Sequence, residues 1–287
     1  MEGFLKQLCE DIQSIARQCG KNMTDHYGHV RVEKTKVNFQ DLVTKVDTTN
    51  QNMILEYMKE KYPEHVLLGE EDVEWGKDRE AVANVIDKEW VWIVDPLDGT
   101  TNYVYSLPLS VVSICVAHKG IPTVGVIFDP YRNEMFTAIK GHGAFMNNEP
   151  IHVRSDPTLH ESLLGYATNY VEPVRKAMMR GVGAVGEYAL NIRNIGAAAL
   201  NLAWVAAGRL TGYWELGLHP WDVSAGCLLV QEAGGRAGST RGEEYDLYVL
   251  DTLATNGHIH DEMLRILKSV NADRIEEIGR ASCRERV

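Results

Sequence analysis

No stretch of this 287-residue chain approaches the roughly 20 consecutive apolar residues that a membrane-spanning helix needs, so no such helix is expected. Met1 opens into a polar, amphipathic segment and not into a basic start followed by an apolar core, so no signal peptide is expected either. Cysteine is sparse and odd in number: Cys9, Cys19, Cys115, Cys227 and Cys283 are scattered, which suits neither a disulfide framework nor a zinc site and points to a reducing, cytoplasmic compartment. Basic charge is in deficit as well. The 29 Lys and Arg against 40 Asp and Glu leave a formal net charge of −11, which speaks against nucleic acid as a direct partner. There is no internal repeat and no low-complexity linker. The composition that remains, 45% hydrophobic and 24% charged, is that of a globular protein with a substantial core, in one large domain or two small halves.

The acidic surplus is concentrated in an informative way. The apolar run Trp90-Val91-Trp92-Ile93-Val94 reads as a buried strand, and Asp95-Pro96-Leu97-Asp98-Gly99-Thr100-Thr101 follows it directly. Pro96 forbids continuation of the ladder and Gly99 permits a sharp turn. Two carboxylates and the Leu97 carbonyl between them then project from the end of a rigid element, a set of oxygens that suits magnesium. The alternative is an acidic strand-to-turn junction with no ligand. An acidic surface would repel phosphate unless bound metal reversed the local sign.

Elsewhere the pattern predicts mixed α/β layers. Phe4, Leu8, Ile12, Ile15, Cys19 and Met23 fall at helical spacing, and 31–41 reads as a loop or short hairpin. Asp47-Thr48-Thr49 supplies cap chemistry for a second helix ending near Tyr62, and His65 to Gly69 reads as a strand delivering Glu70-Glu71-Asp72. A β-meander is expected over 110–145. A strand at 162–167, a helix near 174–180, a helix at 197–207, a strand at 210–216, a helix at 222–233 and a strand–helix pair within 247–267 follow. The charged stretch 271–287, with its lone Cys283, reads as a disordered or non-native tail and is set aside from function.

Four acidic segments thus stand at element ends: Asp47, Glu70-Glu71, Asp95/Asp98 and Asp222 in Trp221-Asp222-Val223-Ser224-Ala225-Gly226. Without metal, carboxylates clustered there would repel one another. Asp47, Gly69-Glu70-Glu71, Asp95 to Thr100 and Trp221 to Gly226, in that order, resemble the lithium-sensitive, magnesium-dependent phosphomonoesterases, and within them the inositol monophosphatase family.

That resemblance implies a layered αβαβα sandwich, an α/β (α+β) fold, with an N-terminal half over 1–150 carrying most metal ligands. The half over 151–270 would close the substrate site. It implies two or three magnesium ions: Glu70, Asp95 and the Leu97 carbonyl on the first, Asp95, Asp98 and Asp222 on the second, Glu70 again for a weaker third. Asp47, Thr100 and Glu70 would be catalytic, ordering the water that attacks phosphorus in line. Glu71 and Thr101 would support this network. Substrate would meet Glu70, Leu97, Asp98, Gly99, Thr100, Gly196, Ala197, Ala198, Glu215 and Asp222. Ala197 stands where the family usually has Thr, and Glu215 where an acid accepts from inositol hydroxyls; an exposed strand-end carboxylate is the alternative for Glu215. The expected reaction is hydrolysis of a small polyol phosphate monoester, myo-inositol 1-phosphate first. Phosphatases acting on fructose 1,6-bisphosphate, NADP, 3′-phosphoadenosine phosphates or histidinol phosphate are the alternatives, as is a partner role beside the transcription machinery. A homodimer with no membrane contact is implied.

Other signals carry less. Lys36 matches the family's loop pattern and reads as a solvated lysine. Gly181-x-Gly183-x-x-Gly186 spells a dinucleotide fingerprint, yet follows a basic segment in place of a strand, and reads as a flexible loop. His258 and His260 read as surface histidines, Asn22-Met23-Thr24 as a sequon in form only, and Trp204 as core or interface packing.

Overall fold

The computed structural model describes residues 1–29, 32–35, 42–74, 76–168 and 171–274. Helix α1 (Glu2–His26) buries Leu8, Ile12, Ile15, Cys19 and Met23 on one face, the stripe its spacing predicts save for Phe4, which is exposed, with Asn22-Met23-Thr24 inside the helix. Strands β1 (Val32–Thr35) and β2 (Leu42–Thr44) pair antiparallel. Lys36 and Asp41 lie outside the described residues. Helix α2 (Lys45–Lys61) is capped by Thr44, one turn before the predicted cap: its hydroxyl accepts the Val46 N–H at 3.2 Å. Asp47 occupies the third helical position and reaches back to accept the Thr44 N–H at 3.0 Å. Strand β3 (Val66–Gly69) leads into a single 3₁₀ turn over Glu70–Asp72, and the short α3 (Asp78–Val85) follows.

Strand β4 (Trp90–Asp98) does not stop at Val94. It runs through Pro96 to Asp98, and a register irregularity between Asp95 and Asp98 absorbs the proline. Helix α4 (Thr100–Val104) comes next, then β5 (Val111–His118), β6 (Ile121–Asp129), β7 (Glu134–Ile139), β8 (Ala144–Met146) and β9 (Glu149–Pro150). These form a seven-stranded sheet in the order β3 to β9, with β3 parallel to β4 and the other neighbours antiparallel. The second half contributes β10 (Leu163–Tyr166), α5 (Glu172–Gly186), β11 (Asn191–Asn194), α6 (Ala198–Ala206) and β12 (Gly212–Leu216). It ends with α7 (Pro220–Glu232), β13 (Arg236–Gly238), β14 (Asp251–Thr255) and α8 (His260–Ser269). Its sheet has five strands in the order β11-β10-β12-β14-β13.

Three apolar cores make five layers. α1 and α2 cover one face of the seven-stranded sheet through Leu8, Ile12, Ile54, Trp92, Val94 and Val126. The opposite face, with Val91, Ile93 and Ile127, meets Leu200, Leu202, Val223 and Leu229 of α6 and α7, which also meet Tyr213 and Ala254 of the second sheet. α5 and α8 close the far side on Leu164, Trp214 and Leu253. The order is αβαβα. The run from Trp90 is unbroken because alternate side chains enter two different cores.

The middle layer depends on one close approach. A Cβ on Gly226 of α7 would fall inside the Leu202 side chain of α6. Gly226→Ala should therefore cost about 1–3 kcal/mol in urea unfolding, and an unchanged midpoint would show that the helices have room to part.

Three expectations are corrected. Gly181 to Gly186 is not a loop but the end of α5, where Gly181 packs against Leu267, Ala272 and Trp214. His260 is not a surface residue: it is 1% exposed, with Nδ1 at 3.0 Å from Thr255 Oγ1, and burial depresses its pKa to about 4. His258 is exposed as expected. The packed fold also passes residue 270, because Ala272 is fully buried and the Asp273 carbonyl accepts from Thr240 Oγ1 at 2.8 Å. Trp204 is half-buried beneath the Arg132 guanidinium. Cys9, Cys19, Cys115 and Cys227 are free and buried, and Cys283 lies outside the described residues. Among the described residues no helix is long and apolar enough to cross a membrane.

Candidate active site

A cavity of about 660 Å³ opens where β3, β4 and β12 end and α4, α6 and α7 begin. Glu70, Glu71, Asp95, Leu97, Asp98, Gly99, Thr100, Thr101, Gly196, Ala197, Ala198, Glu215 and Asp222 all line it. Asp47 stands behind this wall and reaches it through Thr100, whose hydroxyl lies 3.0 Å from Asp47 Oδ1 and 3.1 Å from the Leu97 carbonyl.

Each acid is held from its own side. Asp95, 3% exposed, accepts the Leu97 N–H on Oδ1 at 2.9 Å, and Asn50 Nδ2 donates to the Pro96 carbonyl at 3.1 Å. Asp98 caps α6 from across the chain, accepting the N–H groups of Ala198 at 3.0 Å, Ala199 at 2.8 Å and Leu200 at 3.3 Å. Asp222, third residue of α7, accepts the His219 N–H at 2.7 Å. The Glu71 N–H donates to Gln51 Oε1 at 3.0 Å. Glu215, one residue before the end of β12, is only 6% exposed and takes the Tyr213 hydroxyl, so it is not an exposed strand-end acid.

The turn that joins these parts requires glycine. Gly99 sits at φ +87°, and a Cβ there would lie 2.7 Å from the Leu109 carbonyl and 3.0 Å from the Ala197 methyl. Asn102 fastens the same corner to the second half, its Nδ2 donating to Leu109 O at 2.9 Å and Ile195 O at 2.8 Å. Gly196 and Ala197 are thereby set against the Asp98 turn.

Sequence reasoning did not single out Asp78 and His219, which also line the cavity. His219 Nδ1 is 2.9 Å from Asp78 Oδ1, and the ring stacks on Trp221 at 5.0 Å. Burial works against a charged ring there, but Asp78, Asp222 and Glu70 outweigh it and raise the pKa. His219 was findable as the residue capping Pro220 at the start of a helix. Asp78, the first residue of a short helix, carries no such signal.

The electrostatics call for a cation. Burial, then the charges of Glu70, Asp98 and Asp222, push Asp95 well above the ordinary carboxylate range, with a hydrogen bond to Glu70 adding to the rise. Burial and Asp222 push Asp98 up to about 7 against the pull of its three N–H donors. Asp47 also rises to about 7, through burial and the charges of Glu70 and Glu71, although Thr44 opposes the shift. Among the described residues no three acidic, histidine or cysteine side chains are already gathered into a finished metal site. The acids face one cavity from separate elements, and protonation relieves the repulsion that a divalent ion would otherwise relieve. With the Leu97 carbonyl they are an all-oxygen set, the chemistry of a hard cation, and the residues present fit magnesium.

The inositol monophosphatase family model matches residues 5–272. The inositol-1-monophosphatase of Synechocystis is 38% identical over 250 residues, 86% of this chain and 84% of its own length. The chain belongs to the inositol monophosphatase family. A Thermotoga maritima fructose-1,6-bisphosphatase/inositol-1-monophosphatase is 33% identical over 92% of this chain and 96% of its own. The structure of the extragenic suppressor protein suhB from Bartonella henselae superposes with a TM-score of 0.83 at 31% identity, covering 91% of this chain and 98% of that one. As a member of this metal-dependent family the chain is a phosphoric monoester hydrolase, and the fold is that of its relatives.

Proposed function

We propose that this phosphatase hydrolyses a small polyol phosphate monoester, with myo-inositol 1-phosphate as the preferred substrate, by attack of water. The observation that carries the reading is that one cavity holds both the acids around Asp95 and, at its other wall, the buried carboxylate of Glu215. The first suits a phosphate bound with cations and the second a ring hydroxyl.

Magnesium, two or three ions held by Glu70, Asp95, the Leu97 carbonyl, Asp98 and Asp222, supplies the positive charge that makes phosphate and nucleophilic water compatible with this acidic site. The chain's own residues do the rest. Thr100 Oγ1 accepts a hydrogen bond from the attacking water while donating to Asp47 Oδ1, so that the water's proton has a path to a buried carboxylate. The Gly99–Thr100 turn offers backbone N–H groups to phosphate oxygens, and Glu71 and Thr101 steady its surroundings. Glu215 accepts from the sugar. The half over 151–270 closes this side. We further propose a cytoplasmic homodimer, a compartment that the free, buried cysteines among the described residues suit.

Phosphate release from a panel of myo-inositol 1-phosphate, fructose 1,6-bisphosphate, NADP and glycerol 2-phosphate tests this. The name of the Thermotoga relative makes the bisphosphate the second candidate. Inositol 1-phosphate should give the highest kcat/KM, only with magnesium, and lithium should inhibit. Preference for another panel member would move the substrate assignment; no release from any of them would overturn hydrolysis and leave a binding role alone.

A further inference from the structure

Tyr213 and Glu215 are two positions apart on β12, so both side chains leave the same face of the strand. The Tyr213 hydroxyl donates to Glu215 Oε2. Its ring is fully buried in the middle core and its backbone is flanked by Gly165 of β10 and Ala254 of β14, so the phenol has no freedom to follow a moving partner. Glu215 lines the cavity and Tyr213 does not.

The core alone does not require this hydroxyl. Phenylalanine would fill the same volume, and a buried O–H is costly unless it has a partner. Glu215 needs one too. Among the acids, Asp98 and Asp222 act on it with charge of its own sign, so they repel its carboxylate and do not hold it, and only the weaker charge of His219 acts the other way. Among the described residues Tyr213 is the only side chain that donates to Glu215. Oε2 is therefore occupied and Oε1 is left without a protein donor.

We propose that Tyr213 is a positioning residue for substrate choice: it pins Glu215 with Oε2 turned inward, so that Oε1 alone faces the cavity as an acceptor for a hydroxyl of a polyol phosphate. This rests on the polyol reading above. Tyr213 touches no substrate atom. Through Glu215 it favours esters that bring a donor to Oε1 over alkyl or aryl phosphates that bring none, because an unmatched buried carboxylate oxygen discriminates against partners lacking the donor.

The test compares wild type and Tyr213→Phe on myo-inositol 1-phosphate and on p-nitrophenyl phosphate, each with and without Glu215→Ala. Tyr213→Phe should raise KM for inositol 1-phosphate about tenfold, the scale of a hydrogen bond to a charged group, with kcat changed less than about twofold and the aryl ester unaffected. In the Glu215→Ala background it should change nothing further, which a merely structural tyrosine would not satisfy. Equal losses on both esters, an unchanged KM, or a full effect persisting without Glu215 would each overturn the proposal. Wild type that turns over inositol 1-phosphate no better than the aryl ester would instead overturn the substrate reading. If Tyr213→Phe does not fold, a crystal structure of the wild-type protein with myo-inositol decides: Oε2 must stay on Tyr213 while Oε1 meets a ring hydroxyl, and the reverse arrangement overturns the proposal.

Discussion

Asp95→Asn should lower kcat/KM by about 10³-fold or more on every phosphate monoester that the wild-type chain hydrolyses, while leaving the fold intact. The amide keeps the shape of the carboxylate, and its oxygen can still accept the Leu97 N–H that orients Asp95 in β4. What it lacks is the charge. Asp95 is buried against Glu70, Asp98 and Asp222, so it is the one acid placed between the others, and neutralising it removes the anchor a shared cation would use. The same neighbours make its charge a burden to the metal-free protein. The Asp95→Asn chain should therefore unfold in chelator at pH 8 no earlier than wild type, a result opposite to that of breaking a core contact. Circular dichroism melts beside a magnesium-dependent assay give both readouts. A variant that kept near-full activity would show that Asp95 does not hold the ions; one that melted far below wild type in chelator would show that its carboxylate is structurally required.

The sequence made the acids legible because each stands where an element starts or stops, and β4 shows both the reach and the limit of that reading. Its apolar run and its two aspartates were plain. Its continuation through Pro96 was not, because a proline ends an edge-free ladder only where the partner strand demands an N–H, and here the irregularity opposite Ser113 to Val111 removes the demand. Likewise Asp47 reads as a helix-start acid and is one, but the cap itself is Thr44, one turn earlier, since Thr44 and Asp47 share the capping chemistry and only the path of β2 decides which comes first. The Gly181 to Gly186 spacing misled for a related reason: glycine at a helix–helix contact and glycine in a loop look alike until Leu267 and Ala272 are seen beside it. The site's long-range couplings left no local trace. Asp98 capping α6, Asn102 bridging to Ile195 and Asp78 meeting His219 join residues that fall far apart in the chain, and only the stacking of the five layers brings them together.

Magnesium should stabilise this protein strongly at pH 8 and hardly at all at pH 5. Asp47 and Asp98 in the folded chain are raised to about 7 and Glu215 to about 8, and Asp95 is raised well above the ordinary carboxylate range, whereas in the unfolded chain all four carboxyls titrate near 4. A folded pKa above the unfolded one means that the native state holds its protons longer. The metal-free fold thus has its full stability below about pH 4 as far as these groups are concerned, and loses stability as the unfolded chain ionises first, between pH 4 and 8. For Asp47 and Asp98, as for Glu215, burial is the largest cause, and carboxylates of like charge add to it; a divalent cation opposes the second directly. Binding must then displace protons, so its free energy grows with pH across the same window. With magnesium at a hundredfold its Kd, the melting temperature should rise by roughly 5 °C or more at pH 8, and by a small fraction of that at pH 5. Calorimetric titration at pH 6.5 in buffers of different ionisation enthalpy should register proton release for each ion bound, and Asp95→Asn should abolish most of it. A magnesium-induced shift of equal size at the two pH values would mean that the ions bind away from these buried carboxylates, and the assignment of the site to the end of β4 would fall with it.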